Sequence, residues 1–212
     1  MVAPIEALAA IPETLSDAEA APLLCAGVTT FNALRHSGAS PGSLVAVQGV
    51  GGLGHLGIQF ASKFGYKVAA IGRGPENASL AKKLGAVVYI DAQSTNAAQE
   101  LQKLGGAQAI LATAPSSKAM SELIDGLAPS GKFVVVGIST DPIEVTPLQL
   151  IVGEHSLAGS AVGTPTDSED TMNFAELTGV RPMIETYTLE KAAEAYARMM
   201  SGKAQFRVVL TM

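Results

Sequence analysis

Gly49, Gly51 and Gly54 stand at the spacing G-x-G-x-x-G, after the apolar run Leu44 to Gln48 and before the apolar-faced stretch His55 to Lys63. In such a turn the first glycine permits a tight bend, the second lets a pyrophosphate approach the backbone, and the third lets helix and strand pack closely. The N-terminus of the following helix offers free N–H groups and the positive end of its dipole to phosphates. The spacing alone is weak; behind a strand and at the start of a helix it has the context that dinucleotide binding requires. Gly49, Gly51, Gly52, Leu53 and Gly54 are therefore the expected cradle for a dinucleotide cofactor. His55, in the first helical turn, is expected to contact that cofactor and is a candidate catalytic group.

The end of the second strand bears on which dinucleotide binds. NAD sites of this kind place an acidic residue about 20 positions beyond the glycine turn, on the ribose hydroxyls. Here that stretch reads Ile71-Gly72-Arg73-Gly74-Pro75. A carboxylate would repel a 2′-phosphate, whereas Gly72 leaves room for one and the guanidinium of Arg73 can bind it with charge-assisted hydrogen bonds. NADP is expected over NAD.

These residues need a sheet to hold them. Apolar, β-branched runs at 44–49, 67–72, 87–91, 107–113 and 132–138 alternate with helix-period segments at 53–64, 76–84, 95–104 and 117–127. That alternation implies right-handed crossovers and a doubly wound parallel α/β sheet of the Rossmann kind. A short helix near 147–152 precedes a sixth strand at 156–162. Capping boxes are read at Ser16-Asp17-Ala18-Glu19 and Thr166-Asp167-Ser168-Glu169, each opening a helix. A helix is also expected from Cys25 to His36, and the tail reads strand 183–188, helix 189–201, strand 205–211. The ligand crevice is expected at the carboxyl ends of strands 44–49 and 132–138.

With 48% hydrophobic residues and a formal net charge of −5, the chain can build a core but has no basic cluster. Nucleic acid and acidic membrane surfaces are poor partners. One cysteine excludes an intrachain disulfide. No signal peptide or membrane-spanning run is read, so a cytoplasmic location is expected.

Across nearly its whole length the chain resembles the medium-chain dehydrogenase/reductase superfamily, and within it the zinc-type alcohol dehydrogenases. The resemblance is carried, in family order, by Ala20 to Thr30, Gly49 to Gly54, Lys82 to Ala86, Gly131 to Gly137, Gly159 to Thr164 and Gly202 to Leu210. It implies hydride transfer between NADP(H) and an alcohol or carbonyl substrate. It also implies that residues 25–180 are the cofactor domain, with remnants of a catalytic domain at 1–24 and 181–212. By the same resemblance Thr29, the second catalytic candidate, faces the nicotinamide, and Thr113, Val136, Gly137, Ala161 and Val162 line the cofactor. Arg207 reaches back to the pyrophosphate. Pro165 stands where many relatives have arginine.

The chain also departs from the family. Cys25 sits where the resemblance places the third zinc ligand, but no cysteine or histidine at motif spacing accompanies it. A catalytic zinc needs about three protein ligands plus an open position, so Cys25 reads as a vestigial ligand and zinc is not expected. His36 and His155 read as structural or surface residues. Tyr187 to Lys191 match Y-x-x-x-K, but cross a strand-to-helix boundary beyond the sheet and are set aside. The alternatives to a dehydrogenase are a pseudoenzyme or nucleotide-binding module, and a repurposed enzyme doing non-redox chemistry in an exposed cleft. A homodimer is expected, pairing through the strand at 156–162, where small residues and no charge leave an open edge.

Overall fold

Val45, Ala46 and Val47 are all fully buried. Successive strand residues face opposite ways, so this strand is covered on both sides. In the structure, a computed structural model that describes residues 2–212, it is the centre of a six-stranded sheet. The strands are β1 (Leu44–Gln48), β2 (Lys67–Gly72), β3 (Val88–Asp91), β4 (Ala107–Ala112), β5 (Leu127–Val135) and β6 (Ser156–Gly159). They run parallel in the order β3-β2-β1-β4-β5-β6, which is the doubly wound Rossmann topology.

Helices α3 (Gly54–Lys63), α4 (Ala78–Lys83), α5 (Ala97–Lys103), α6 (Ser117–Ser121), α7 (Pro147–Gly153) and α8 (Pro165–Thr178) connect and follow these strands. On one face Val45, Val47, Val68 and Leu111 pack with Leu56, Phe60 and Met172; on the other, Ala46, Ile71, Ile110 and Phe133 pack with Leu101 and Met120. Before the sheet, α1 (Asp17–Pro22), a π-helical turn over Leu23–Gly27, and α2 (Val28–Arg35) form one helical run. After α8, β7 (Ile184–Thr188), α9 (Ala192–Met200) and β8 (Arg207–Thr211) make a separate two-stranded parallel unit. Residue 1, the start of the stretch read as a catalytic-domain remnant, lies outside the described residues.

Several boundaries differ from those read in the sequence. The fifth strand spans Leu127–Val135 rather than 132–138, because Leu127 already pairs with Ala107 ahead of an irregularity in the ladder. The helix expected at 117–127 ends at Ser121, and a separate short turn covers Ile124–Gly126. The sixth strand ends at Gly159, leaving 160–164 as an irregular segment. The second capping box is also displaced. Thr164, not Thr166, caps α8: its hydroxyl accepts the Asp167 N–H at 3.2 Å and the Asp167 carboxylate accepts the Thr164 N–H at 2.8 Å. Pro165 then takes the first helical position, where a missing N–H leaves nothing unsatisfied. The box at Ser16 and Glu19 forms as read. Among the described residues no helix is long and apolar enough to cross a membrane.

Asp167 also ties α8 to α2. The Arg35 guanidinium donates to Asp167 at 2.5 Å, to Asp170 at 2.7 Å and to the Asn32 side-chain oxygen at 2.8 Å. The Thr164 N–H, then the Thr164 hydroxyl, with Arg35 as a smaller contributor, lower the Asp167 carboxyl from 3.8 to about 2. A folded-state value below the unfolded one stabilises the fold above the ordinary carboxylate range, and that stability is lost as pH falls toward the folded value. Asp167→Asn should therefore flatten the acid limb of a stability-against-pH curve between about pH 4 and pH 2, measured by denaturant unfolding at each pH.

Candidate functional site

The chain leaves β1 at Gln48 and enters α3 at Gly54, and the glycines between are under different constraints. Gly49 has φ of +100°, a left-handed conformation that disfavours a side chain. A Cβ there would also lie 2.7 Å from the Thr113 hydroxyl. A Cβ on Gly54 would overlap the Gly49 carbonyl oxygen and stand 2.7 Å from its carbonyl carbon. At Gly51 a Cβ would meet nothing within 4 Å. The turn is thus closed on its inner side at residues 49 and 54 and open at 51, the position where a pyrophosphate needs access to the backbone.

The Thr113 hydroxyl and backbone N–H both donate to the Gln48 carbonyl, at 2.7 and 3.1 Å. This joins the end of β4 to the end of β1. Strand order reverses between these two strands, so the crevice opens there. The crevice was expected at the ends of β1 and β5; the strand that pairs with β1 at the reversal is β4. Val136 and Gly137 follow β5 and donate their N–H groups to the Ala112 carbonyl at 3.1 and 2.9 Å, one strand further from β1. Gln48 is 6% exposed, and its side-chain oxygen has no hydrogen-bond partner among the described residues.

The C-terminal unit reaches the same turn. A Cβ on Gly52 would stand 3.1 Å from Nη1 and 3.2 Å from Cδ of Arg207, so the first residue of β8 lays its side chain against the glycine turn. His55 is fully buried. Its Nδ1 lies 2.9 Å from the Gly51 carbonyl and its Nε2 3.1 Å from the Met183 N. A carbonyl only accepts and an amide N–H only donates, so the ring is neutral with its proton on Nδ1. Burial, followed by the nearby positive charge of Arg207, holds its pKa down at about 4 against hydrogen bonding from the turn. Both ring nitrogens of this catalytic candidate are engaged by backbone.

At the end of β2, Gly72 is buried and Arg73 exposed. A Cβ on Gly72 would meet the Tyr89 hydroxyl and come within 2.9 Å of its ring. That hydroxyl donates to the Gly74 carbonyl at 2.6 Å, and the Gly74 N–H donates to the Asp91 carboxylate at 2.8 Å. Arg73 makes no ion pair among the described residues. Sequence reasoning missed Tyr89, whose presence at this loop follows only from the pairing of β2 with β3.

Thr29 is 7% exposed in α2, while Cys25, one π-helical turn earlier, is exposed. Among the described residues no group of three or more His, Cys, Asp or Glu side chains could hold a metal. Ala161 and Val162 lie in the exposed segment after β6, where the Val162 carbonyl accepts from the Asn32 amide at 3.2 Å. The structure therefore brings together the glycine turn, Thr113, His55 and Arg207. Arg73 stands apart at the end of β2.

The fold and the turn define an α/β domain of the Rossmann kind, and the comparisons with known proteins define its family. Residues 52–178 match the model of the zinc-binding dehydrogenase family. The chain is 46% identical over 207 residues to alcohol dehydrogenase patD of Penicillium expansum, covering 98% of this chain and 61% of that protein. It is 38% identical over 209 residues to an alcohol dehydrogenase of Geobacillus stearothermophilus, covering 98% and 62%. Among solved structures, a cinnamyl alcohol dehydrogenase of Sorghum bicolor superposes with a TM-score of 0.86 at 31% identity, over 95% of this chain and 57% of that one. The chain belongs to the zinc-binding dehydrogenase family, within the medium-chain dehydrogenase/reductase superfamily. It spans about three-fifths of the length of these curated relatives.

The contact between Gly54 and the Gly49 carbonyl sets an experimental expectation. Gly54→Ala should lower unfolding stability by about 3 kcal/mol or more, because the clash is with backbone that no rotamer change relieves. Urea unfolding, read beside an open-position control at Gly51→Ala, measures it.

Proposed function

We propose that this chain binds a nicotinamide dinucleotide at the glycine turn and serves an alcohol dehydrogenase-type oxidoreductase, moving a hydride between NADP(H) and an alcohol or carbonyl substrate. The observation that carries this reading is the turn itself: open at Gly51, closed at Gly49 and Gly54, with the Arg207 side chain against Gly52. That cradle, with the Arg207 guanidinium against it, fits a polar, anionic ligand. When bound, the cofactor supplies the hydride chemistry and the protein supplies position and electrostatics. The free N–H groups at the start of α3 and the Arg207 guanidinium would hold the pyrophosphate. Thr29, Thr113, Val136, Gly137, Ala161 and Val162 are the proposed remaining lining residues. Residues 25–180 would form the cofactor domain, flanked by parts of a catalytic domain at 1–24 and 181–212; the separate pairing of β7 with β8 supports that division.

A second reading is a nucleotide-binding module without redox turnover. Incubation with NADP and a panel of primary alcohols separates the two, since only the first reading expects reduced cofactor to accumulate.

The Tyr89 phenol fills the space that Gly72 was expected to leave for a 2′-phosphate, so preference for NADP(H) rests on Arg73, which is exposed and makes no ion pair among the described residues, and on the lack of a carboxylate at position 72. Calorimetric titration should give tighter binding of NADPH than of NADH, and Arg73→Ala should weaken NADPH about tenfold while leaving NADH within about twofold, as expected for a lost charge-assisted contact. Equal or reversed preference in the wild type overturns the assignment.

A homodimer in the cytoplasm completes the proposal. The strand β6 lies at one edge of the sheet, and Leu148, Ile151 and Val152 of α7, the helix that precedes it in the chain, are 69%, 74% and 77% exposed. Contiguous apolar surface of this kind marks an association site. Light scattering should report a dimer, and Gly159→Pro, which removes an edge donor, should shift it to monomer.

A further inference from the structure

His55 closes a ring of contacts that begins and ends on the glycine turn. Its Nδ1–H donates to the Gly51 carbonyl, and its Nε2 accepts the Met183 N–H. The Met183 carbonyl in turn accepts the N–H groups of Phe206 and Arg207, at 3.0 and 3.1 Å. The Phe206 ring lies 4.9 Å from the imidazole, centroid to centroid. From Arg207 the side chain returns to Gly52. Residues 183 and 207 are far from the turn in sequence, and the imidazole is the side chain that hydrogen-bonds Met183 to it.

We infer that His55 is a positioning residue: by holding Met183 it sets the Arg207 guanidinium at the phosphate-facing turn, so that the grip on a dinucleotide's pyrophosphate depends on a side chain that does not touch the ligand. This rests on the proposed nucleotide-binding reading and adds a residue with a defined role to it. The geometry favours histidine for a specific reason. The residue must donate to one backbone carbonyl and accept from one backbone N–H at two separate points, and a neutral imidazole does both on a rigid frame. A positioning role also accounts for the burial: no solvent or ligand path to the ring is needed.

The test uses the whole chain and two ligands. ADP-ribose carries the pyrophosphate; adenosine lacks it. By titration, His55→Leu should weaken ADP-ribose about tenfold, the scale of one lost hydrogen bond to a charged group, and leave adenosine within about twofold. Arg207→Ala should cost a similar factor. Because the two residues act through one guanidinium, the double variant should be no weaker than about the worse single one. His55→Gln, whose side-chain oxygen can still accept from Met183, should recover part of the loss.

Unchanged ADP-ribose affinity in His55→Leu, additive losses in the double variant, or equal losses for adenosine would each overturn the inference, the last because it signals a general structural role. A second measurement needs no ligand. Hydrogen exchange at the amides of Met183 and Arg207 should accelerate at least tenfold in His55→Leu while the amides of β1 and β4 stay protected. If the wild type fails to bind ADP-ribose, the nucleotide-binding reading fails. In that case the exchange result alone decides whether His55 positions Arg207: acceleration confined to Met183, Phe206 and Arg207 supports it, and its absence refutes it.

Discussion

The carbonyl oxygen of Gly49 leaves no space for a side chain at residue 54, and much of the site follows from that contact. It brings the first turn of α3 directly over the end of β1. The free N–H groups of the helix therefore sit beside the strand end rather than a side chain's width away. The same close approach lets Leu56 and Phe60 pack with Val45 and Val47 in one core cluster. A bulkier turn would lift α3 off the sheet, separating the N-terminal end of the helix from its apolar anchor.

The glycine turn is also where three parts of the chain meet. Thr113 ties the end of β4 to β1 by donating twice to the Gln48 carbonyl. Arg207 arrives from the C-terminal unit; away from the turn, Arg35, Asp167 and Asp170 join α2 to α8. These linkages differ in kind. The Thr113 contacts are short and partly buried, while Arg35 bridges partly exposed carboxylates, so its worth is modest and depends on salt.

Legibility in the sequence followed the range of the determining forces. Strand β2 was read at its observed limits because an unbroken apolar run between polar and glycine residues is a local signal. The glycine turn was legible for the same reason. Long-range pairing was not: the crevice was expected at the ends of β1 and β5, whereas β4 is the strand that pairs with β1 there, and no local pattern distinguishes two buried parallel strands. The start of α8 was misplaced because a proline at the first helical position moves the cap back to Thr164, and Asp167 rather than a glutamate closes the box. The π-helical turn over Leu23–Gly27 likewise has no sequence signature. It separates exposed Cys25 from nearly buried Thr29, residues that a regular helix would set near the same face. His55 was read toward the ligand, since the residue that holds it, Met183, lies 128 positions away.

The Tyr89 hydroxyl occupies the space next to Gly72 and is bonded to the Gly74 carbonyl. This has a bearing on how such a domain evolves. An acidic residue at position 72 would need the volume that the phenol fills, and loss of the phenol would free the Gly74 carbonyl it holds. Neither change is neutral on the background of the other residue, so substitutions at the two positions are expected to be coupled. A side chain at 72 therefore has to be accommodated by movement of Tyr89, which ties the chemistry of this loop to a residue on the neighbouring strand.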